Sequence, residues 1–213
     1  ILFLFVYLIF VYKYVGFEPN KHRYKKDVMI MILNFVITYY ILTYLSGLVF
    51  GFNKTAYSLK ITSILMHILP VIATITITEI MRYIFITKGY VNRWITFVIF
   101  LCFVMIDVNL FFNLYKGELL KFVLMVLIPS ISKNILLLYL SYKVGFRTTK
   151  RYRLFMEMPM YFLPLFPALG MYLDSLLLFL FPVTLMYIIY SNFSSAKEEK
   201  LTSREKKKTI NIV

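Results

Sequence analysis

The chain has 213 residues, of which 61% are hydrophobic and 16% are charged, and its mean hydropathy is +0.77. Soluble domains are about 45–50% apolar and about 25% charged. A water-soluble globule of this size could not cover such an apolar excess with polar surface. The composition therefore excludes a soluble enzyme, and the low charged fraction argues against intrinsic disorder. The sequence predicts an integral membrane protein.

The basic residues outnumber the acidic ones by 24 to 10, which gives a formal net charge of +14. In a soluble protein this excess would indicate nucleic-acid binding. Here the basic residues fall mostly in short runs between apolar blocks, which is typical of cytoplasmic loops. We therefore expect the lipid bilayer, and not nucleic acid, as the main partner. Cys102 is the only cysteine, which excludes an intrachain disulfide and a thiolate metal site.

Seven apolar blocks predict membrane-spanning helices, because a span needs about 20 mostly apolar residues. The blocks are Ile1–Val15, Val28–Phe50, Ile61–Met81, Ile95–Tyr115, Leu119–Tyr142, Leu154–Gly170 and Met171–Tyr190. The first block is short, and we interpret it as the end of a helix that begins upstream. The predicted fold class is therefore all-α, a polytopic transmembrane helical bundle in residues 1–190. Residues 191–213 are interpreted as a basic cytoplasmic linker that leads into a further apolar segment.

The distribution of Lys and Arg predicts the orientation of the blocks. Connections with five, three, five and six basic residues alternate with connections that have two, two and none. This alternation predicts seven crossings and a cytoplasmic C-terminal tail. Leu154–Gly170 contains three prolines and could form a re-entrant loop, but the alternation favours a kinked span there. The residue usage indicates a prokaryotic cell membrane.

Ionisable side chains at membrane depth are candidates for function, because their burial in lipid is costly. Lys133 lies roughly 13 Å, and Asp107 roughly 18 Å, from the cytoplasmic ends of their blocks at 1.5 Å per residue. Glu79 and Glu157 are expected to lie much shallower. The matched depths predict an ion pair between Lys133 and Asp107, and the alternative is that Lys133 extends into a polar cavity.

The fifth block is interrupted by polar residues that follow Pro129. Proline cannot donate to the carbonyl of Met125, so the helix hydrogen bonds open there, and nearby polar side chains can replace them. These residues complete a candidate intramembrane polar site that consists of Asp107, Ser130, Ser132, Lys133 and Asn134.

Other motifs are less informative. Glu79 and Arg82 have i,i+3 spacing near the end of the third block, which predicts an interfacial ion pair. Ser130 and Lys133 form an S-x-x-K match to penicillin-binding proteins, but the S-D-N and K-T-G elements are missing. His67 has no second histidine near it to complete a metal site. We therefore predict no catalytic residue, no cofactor and no metal in this chain.

Four strings carry a resemblance to a known family: YLSGLVFGF (Tyr44–Phe52), LPVIATITITEIMRY (Leu69–Tyr83), LIPSISKNILLLYLSYKVGF (Leu127–Phe146) and MEMPMYFLPLFPALG (Met156–Gly170). They resemble the multispanning N-terminal membrane region that precedes the catalytic domain in bacterial signal peptidase I-like proteins. The resemblance covers most of residues 30–190. It implies a membrane domain that anchors or positions a serine endopeptidase acting on secreted-protein precursors. The Ser-Met-x-Pro box of that family does not occur here, so no catalytic residue is carried over.

Two other functions remain open from the sequence. A transporter or permease subunit is indicated by the interrupted fifth block and the proline-rich sixth block. A noncatalytic scaffold that assembles with a membrane partner protein is the other alternative.

Overall fold

The computed structural model describes residues 25–54, 64–89, 93–112 and 119–210, and this part of the chain is a helical bundle. The predicted block Ile1–Val15 lies outside the described residues. The first three helices are α1 (Lys25–Phe50), α2, which begins with a π-helical turn (Ile64–Ile68) and continues as Leu69–Gly89, and α3 (Arg93–Phe112).

The second half of the chain contains four more helices. They are α4, in three consecutive parts (Leu119–Phe122, a π-helical turn Val123–Leu127, and Ile128–Lys143), α5 (Phe146–Glu157), the single turn α6 (Pro159–Phe162), and α7 (Gly170–Ile210). Gly145 joins α4 to α5 with φ 95°, a conformation that glycine adopts without strain. Residues 191–210, predicted as a linker, continue α7 as helix.

Two short strands, which the sequence did not predict, lie between these helices. Strand β1 (Phe52–Lys54) pairs antiparallel with β2 (Leu165–Pro167), with Phe52 opposite Pro167. This pair connects the end of α1 to the segment before α7.

Both π-helical turns end two residues before a proline, at Pro70 in α2 and at Pro129 in α4. A proline lacks the N–H for the carbonyl four residues earlier, and its ring clashes with that carbonyl. Widening of the preceding turn into a π-helical turn moves that carbonyl away from the ring and relieves the clash. The sequence predicted the interruption at Pro129, and the structure shows its form.

Four helical stretches are long and apolar enough to cross a membrane: Lys26–Phe50, Met66–Thr87, Leu119–Lys143 and Gly170–Phe193. Helix α3 adds a shorter apolar stretch, Thr96–Val108. These helices confirm the prediction of a helical bundle that contains apolar segments of membrane-spanning length. Helix α2 continues well beyond Met81, where the third block was predicted to end, because Arg82 is buried among helices instead of lying in a loop.

The helices run between two ends of the bundle, which we call the Lys25 end and the Phe50 end. At the Lys25 end, Val28 of α1, Val144 after α4 and Ile189 of α7 share one apolar cluster. The Phe50 end carries the β1–β2 pair. Consecutive helices alternate in direction between these ends, except that α6 continues in the direction of α5.

The sixth predicted block does not form one helix of spanning length. Leu154–Glu157 is the last turn of α5, and the rest of the block contains α6 and β2. This part of the chain therefore runs from the Lys25 end to the Phe50 end in three pieces. It starts at Phe146 with α5, continues through the single turn α6, and ends with strand β2. The prolines of the block prevent a continuous helix, because each lacks the required N–H.

The core lies between α1, α4 and α7. Leu136, Leu137 and Leu140 of α4 have no exposed surface, and they belong to one cluster with Ile32 of α1 and Leu185 of α7. Helix α4 is thus the central helix, and the side chains of its last three turns fill the space between its neighbours.

We expect Leu136→Ala to lower the free energy of unfolding by about 2–5 kcal/mol, because it leaves a cavity in this cluster. Thermal unfolding in detergent measures the change. Leu45→Ala is the matched control, since Leu45 is 55% exposed, and it should change stability by less than about 0.5 kcal/mol. Equal effects of the two substitutions would contradict the described core.

Candidate functional site: a closed network of charged side chains

Four helices bring charged and amide side chains together inside the bundle. Helix α2 contributes Glu79 and Arg82, α3 contributes Asp107, and α4 contributes Lys133 and Asn134. Helix α5 contributes Arg153 and Glu157. These seven residues are called the network below.

One half of the network is organised by Arg153. Its Nε and Nη2 donate to the two carboxylate oxygens of Glu157, at 2.9 and 3.3 Å, in a two-pronged arrangement. Its Nη1 donates to Glu79 Oε1 at 3.1 Å and to the hydroxyl of Thr78 at 2.9 Å. A planar guanidinium is suited to this role because its five donors lie in fixed directions. Arg153 therefore joins α5 to α2.

The other half is organised by Asn134. Its amide nitrogen donates to Asp107 Oδ2 at 2.8 Å, and its amide oxygen accepts from Arg82 Nη2 at 2.8 Å. Lys133 Nζ lies 2.8 Å from the same Asp107 oxygen, so the predicted pair between these two residues is present. The guanidinium of Arg82 also lies over the ring of Phe103, 4.4 Å from its centroid.

Two longer contacts close the network into a ring. Lys133 Nζ lies 3.8 Å from Glu157 Oε1, and Arg82 Nε lies 3.6 Å from Glu79 Oε2. The three cations and three carboxylates cancel in formal charge. A neutral cluster is the form in which charges can be buried, because each charge compensates the lost hydration of another.

The members of the network differ in exposure. Glu79, Arg82 and Asn134 are 0–1% exposed, whereas the side chains of Lys133 and Glu157 are 30% and 29% exposed. Lys133 and Glu157 are therefore the half-buried side of the network, which can be reached from outside the bundle, and Glu79, Arg82 and Asn134 form its closed side.

The junction between Glu79 and Arg82 is incompletely hydrogen-bonded. Among the described residues, Glu79 Oε2 and the Nε and Nη1 atoms of Arg82 are buried without a hydrogen-bond partner. Their charges still attract at 3.6 Å, but this junction contributes less than the two-pronged Arg153 contact. The i,i+3 spacing predicted an interfacial ion pair, whereas both side chains are buried among the helices.

The two predicted serines have other roles. Ser130 provides a backbone carbonyl that accepts from Asn134 Nδ2 at 2.9 Å. Ser132 donates its hydroxyl to the carbonyl of Phe179 in α7, at 2.8 Å. Both bonds go to groups other than the carbonyl of Met125, which the serines and Asn134 were predicted to satisfy in place of the missing N–H of Pro129.

Arg153 and Glu157 were not recognised as site residues from the sequence. Arg153 was counted among the basic residues of a connection, and Glu157 was expected at shallower depth than Lys133. Their i,i+4 spacing places both on one helix face and was the available signal. It was weak, because such pairs are common on solvent-exposed helices.

Comparison of the chain with protein-family models, with curated proteins and with solved structures found no match.

Lys133→Met should destabilise the bundle by about 1–3 kcal/mol, because it leaves Asp107 with one hydrogen-bond donor, Asn134, and removes the cation in direct contact with it. Adding Asp107→Leu removes the uncompensated charge, so the double variant should be more stable than the sum of the single changes predicts. A double-mutant cycle by thermal unfolding should give a coupling energy of about 1 kcal/mol or more. Additive effects would show that the pair contributes nothing, and Lys54→Met serves as an exposed control.

The difference in exposure predicts a difference in thiol labelling between adjacent residues. In a Cys102→Ala background, Lys133→Cys should react with a charged, water-soluble thiosulfonate, and Asn134→Cys should remain protected. Mass spectrometry of the labelled chain in lipid vesicles measures both. Labelling of Lys133→Cys only by an apolar maleimide would mean that this side of the network faces lipid and not water.

Proposed function

We propose that this chain is a membrane-embedded domain that anchors and positions another domain of the same protein, a signal peptidase I-like serine endopeptidase. The observation that supports an anchoring role is the closed, neutral network that joins four helices, and the peptidase assignment rests on the resemblance of the four strings given above. Such a network fixes the relative positions of the helices, because removal of any one charged member leaves an uncompensated charge in the interior. A fixed bundle is what an anchoring domain requires.

The backbone carbonyls at the end of α5 and between α5 and α7 are bound by protein side chains, which favours an anchoring role over transport. Tyr40 donates its hydroxyl to the carbonyl of Met156 at 2.9 Å, and Tyr44 donates to the carbonyl of Leu165 at 2.7 Å. Transporters use the free backbone groups of broken helices to bind substrate and ions. Here protein side chains already occupy such groups, so the broken segment resembles a structural connection more than a transport site.

The proposed topology has seven crossings, with the Lys25 end on the cytoplasmic side of a prokaryotic cell membrane. The described residues contain four helices of spanning length, and the proposal counts α3 and the segment from α5 to β2 as two further crossings and Ile1–Val15 as the seventh. The connection between α4 and α5, with Lys143, Arg147, Lys150 and Arg151 at or near it, lies at the Lys25 end and supports this orientation, because cytoplasmic loops carry an excess of basic residues. One more span after the tail would place a following domain outside, where signal peptidases act on secreted-protein precursors.

Intact-mass measurement and peptide sequencing of the natural protein test this proposal. We expect a further apolar span after Thr209, followed by a Ser-Met-x-Pro box. A natural C-terminus near Val213 would contradict the peptidase assignment.

Two further measurements address the alternatives. A protein partner that co-purifies in stoichiometric amount in mild detergent would favour a noncatalytic scaffold. Saturable uptake of a solute into liposomes would favour a transporter or permease subunit, and the interrupted segments around Pro129 and Pro164 would then be the leading site.

A further inference from the structure

The outward face of α5 at the Lys25 end is strongly basic. Lys143 at the end of α4 is exposed, as are Arg147 and Arg151 of α5, and Lys150 is half-buried. These four residues are called the basic face. The only carboxylate of α5 is Glu157, more than a turn beyond Arg151, and it is bound by Arg153.

The orientation of α5 is fixed by its opposite face. Thr149 and Tyr152 are at most 2% exposed, and Arg153 is bound to Glu79. The helix therefore cannot rotate to bury Arg147 or Arg151. None of the ion pairs between described side chains includes a residue of the basic face.

The basic face lies at the level of the lipid headgroups if the apolar helices cross a membrane. Arg147 and Arg151 are roughly 1.5 and 7.5 Å along α5 from Phe146, and the headgroup layer is about 5–7 Å thick on each side. Phe155, one turn deeper, is exposed. Exposed aromatic residues at the same end are typical of a membrane–water interface; these are Trp94, Tyr142 and Tyr190.

We propose that the basic face binds the phosphate of an anionic phospholipid headgroup. Arg147 and Arg151 have i,i+4 spacing, so their guanidinium groups repel each other unless an anion lies between them. Guanidinium groups bind phosphate oxygens through two parallel hydrogen bonds. A second copy of the chain is disfavoured as the partner, because a symmetric contact would bring two identical basic faces together.

Native mass spectrometry of the 213-residue chain extracted from vesicles tests this proposal. The vesicles contain phosphatidylcholine and phosphatidylglycerol in equal amounts. We expect phosphatidylglycerol to be enriched among the retained lipids. Arg147→Gln together with Arg151→Gln should weaken this preference by about fivefold for each arginine removed, which is the usual effect of one basic residue at an anionic surface.

Three controls make the result specific. Lys54→Gln removes an exposed cation at the Phe50 end and should leave the preference unchanged. Arg147→Lys together with Arg151→Lys keeps the charge and should retain part of the preference, because lysine lacks the planar fork. The two single Gln variants provide a readout if the double variant does not fold.

Equal retention of both lipids by the unchanged chain would overturn the proposal. Undiminished enrichment in the folded Gln variants would also overturn it, since the cations of the C-terminal tail would then account for the preference. A lipid-free dimer that depends on Arg147 and Arg151 would assign the basic face to a second copy instead.

Discussion

The contact between Arg153 and Glu79 determines where α5 lies, and much of the bundle follows from it. Glu79 has no exposed surface, and a carboxylate in such a place requires a cation and hydrogen-bond donors. Arg153 supplies both at 3.1 Å and simultaneously holds Glu157. Helix α5, with five charged residues among twelve, is thereby retained between apolar helices, although its composition alone would place it in water.

The position of α5 has consequences at both ends of the bundle. Towards the Phe50 end, the chain leaves α5 before a run of prolines and completes its passage as a single turn and a strand. The hydroxyl groups of Tyr40 and Tyr44 and the pairing of β2 with β1 satisfy backbone groups of this segment. Towards the Lys25 end, burial of one face of α5 leaves Arg147 and Arg151 on the surface. The buried carboxylate of Glu79, by fixing α5, thus affects both the segment that contains α6 and β2 and the exposed basic face of α5.

The same network bears on function. Its charges cancel within the protein, so it does not require a bound ion to be stable. Its exposed members, Lys133 and Glu157, are also those with the longest mutual contact, at 3.8 Å, and this is the part of the network that a polar partner could reach. The buried members hold α2, α3, α4 and α5 together, and the proposed anchoring role depends on this rigidity.

The sequence by itself was sufficient to predict a bundle of apolar helices of membrane-spanning length and the positions of most of them, because the length of an apolar run and the position of a proline can be read from neighbouring residues alone. The ion pair between Lys133 and Asp107 was also predicted, because the two residues lie at similar distances from the same ends of their helices. The parts of the network in α2 and α5 depended on tertiary structure. Arg82 and Arg153 were interpreted as residues near loops, because a charge in sequence carries no information about a compensating charge 50 or more residues away. Only the packing of α5 against α2 brings Glu79, Thr78 and Arg153 within hydrogen-bond distance, and that packing decides that these charges are buried.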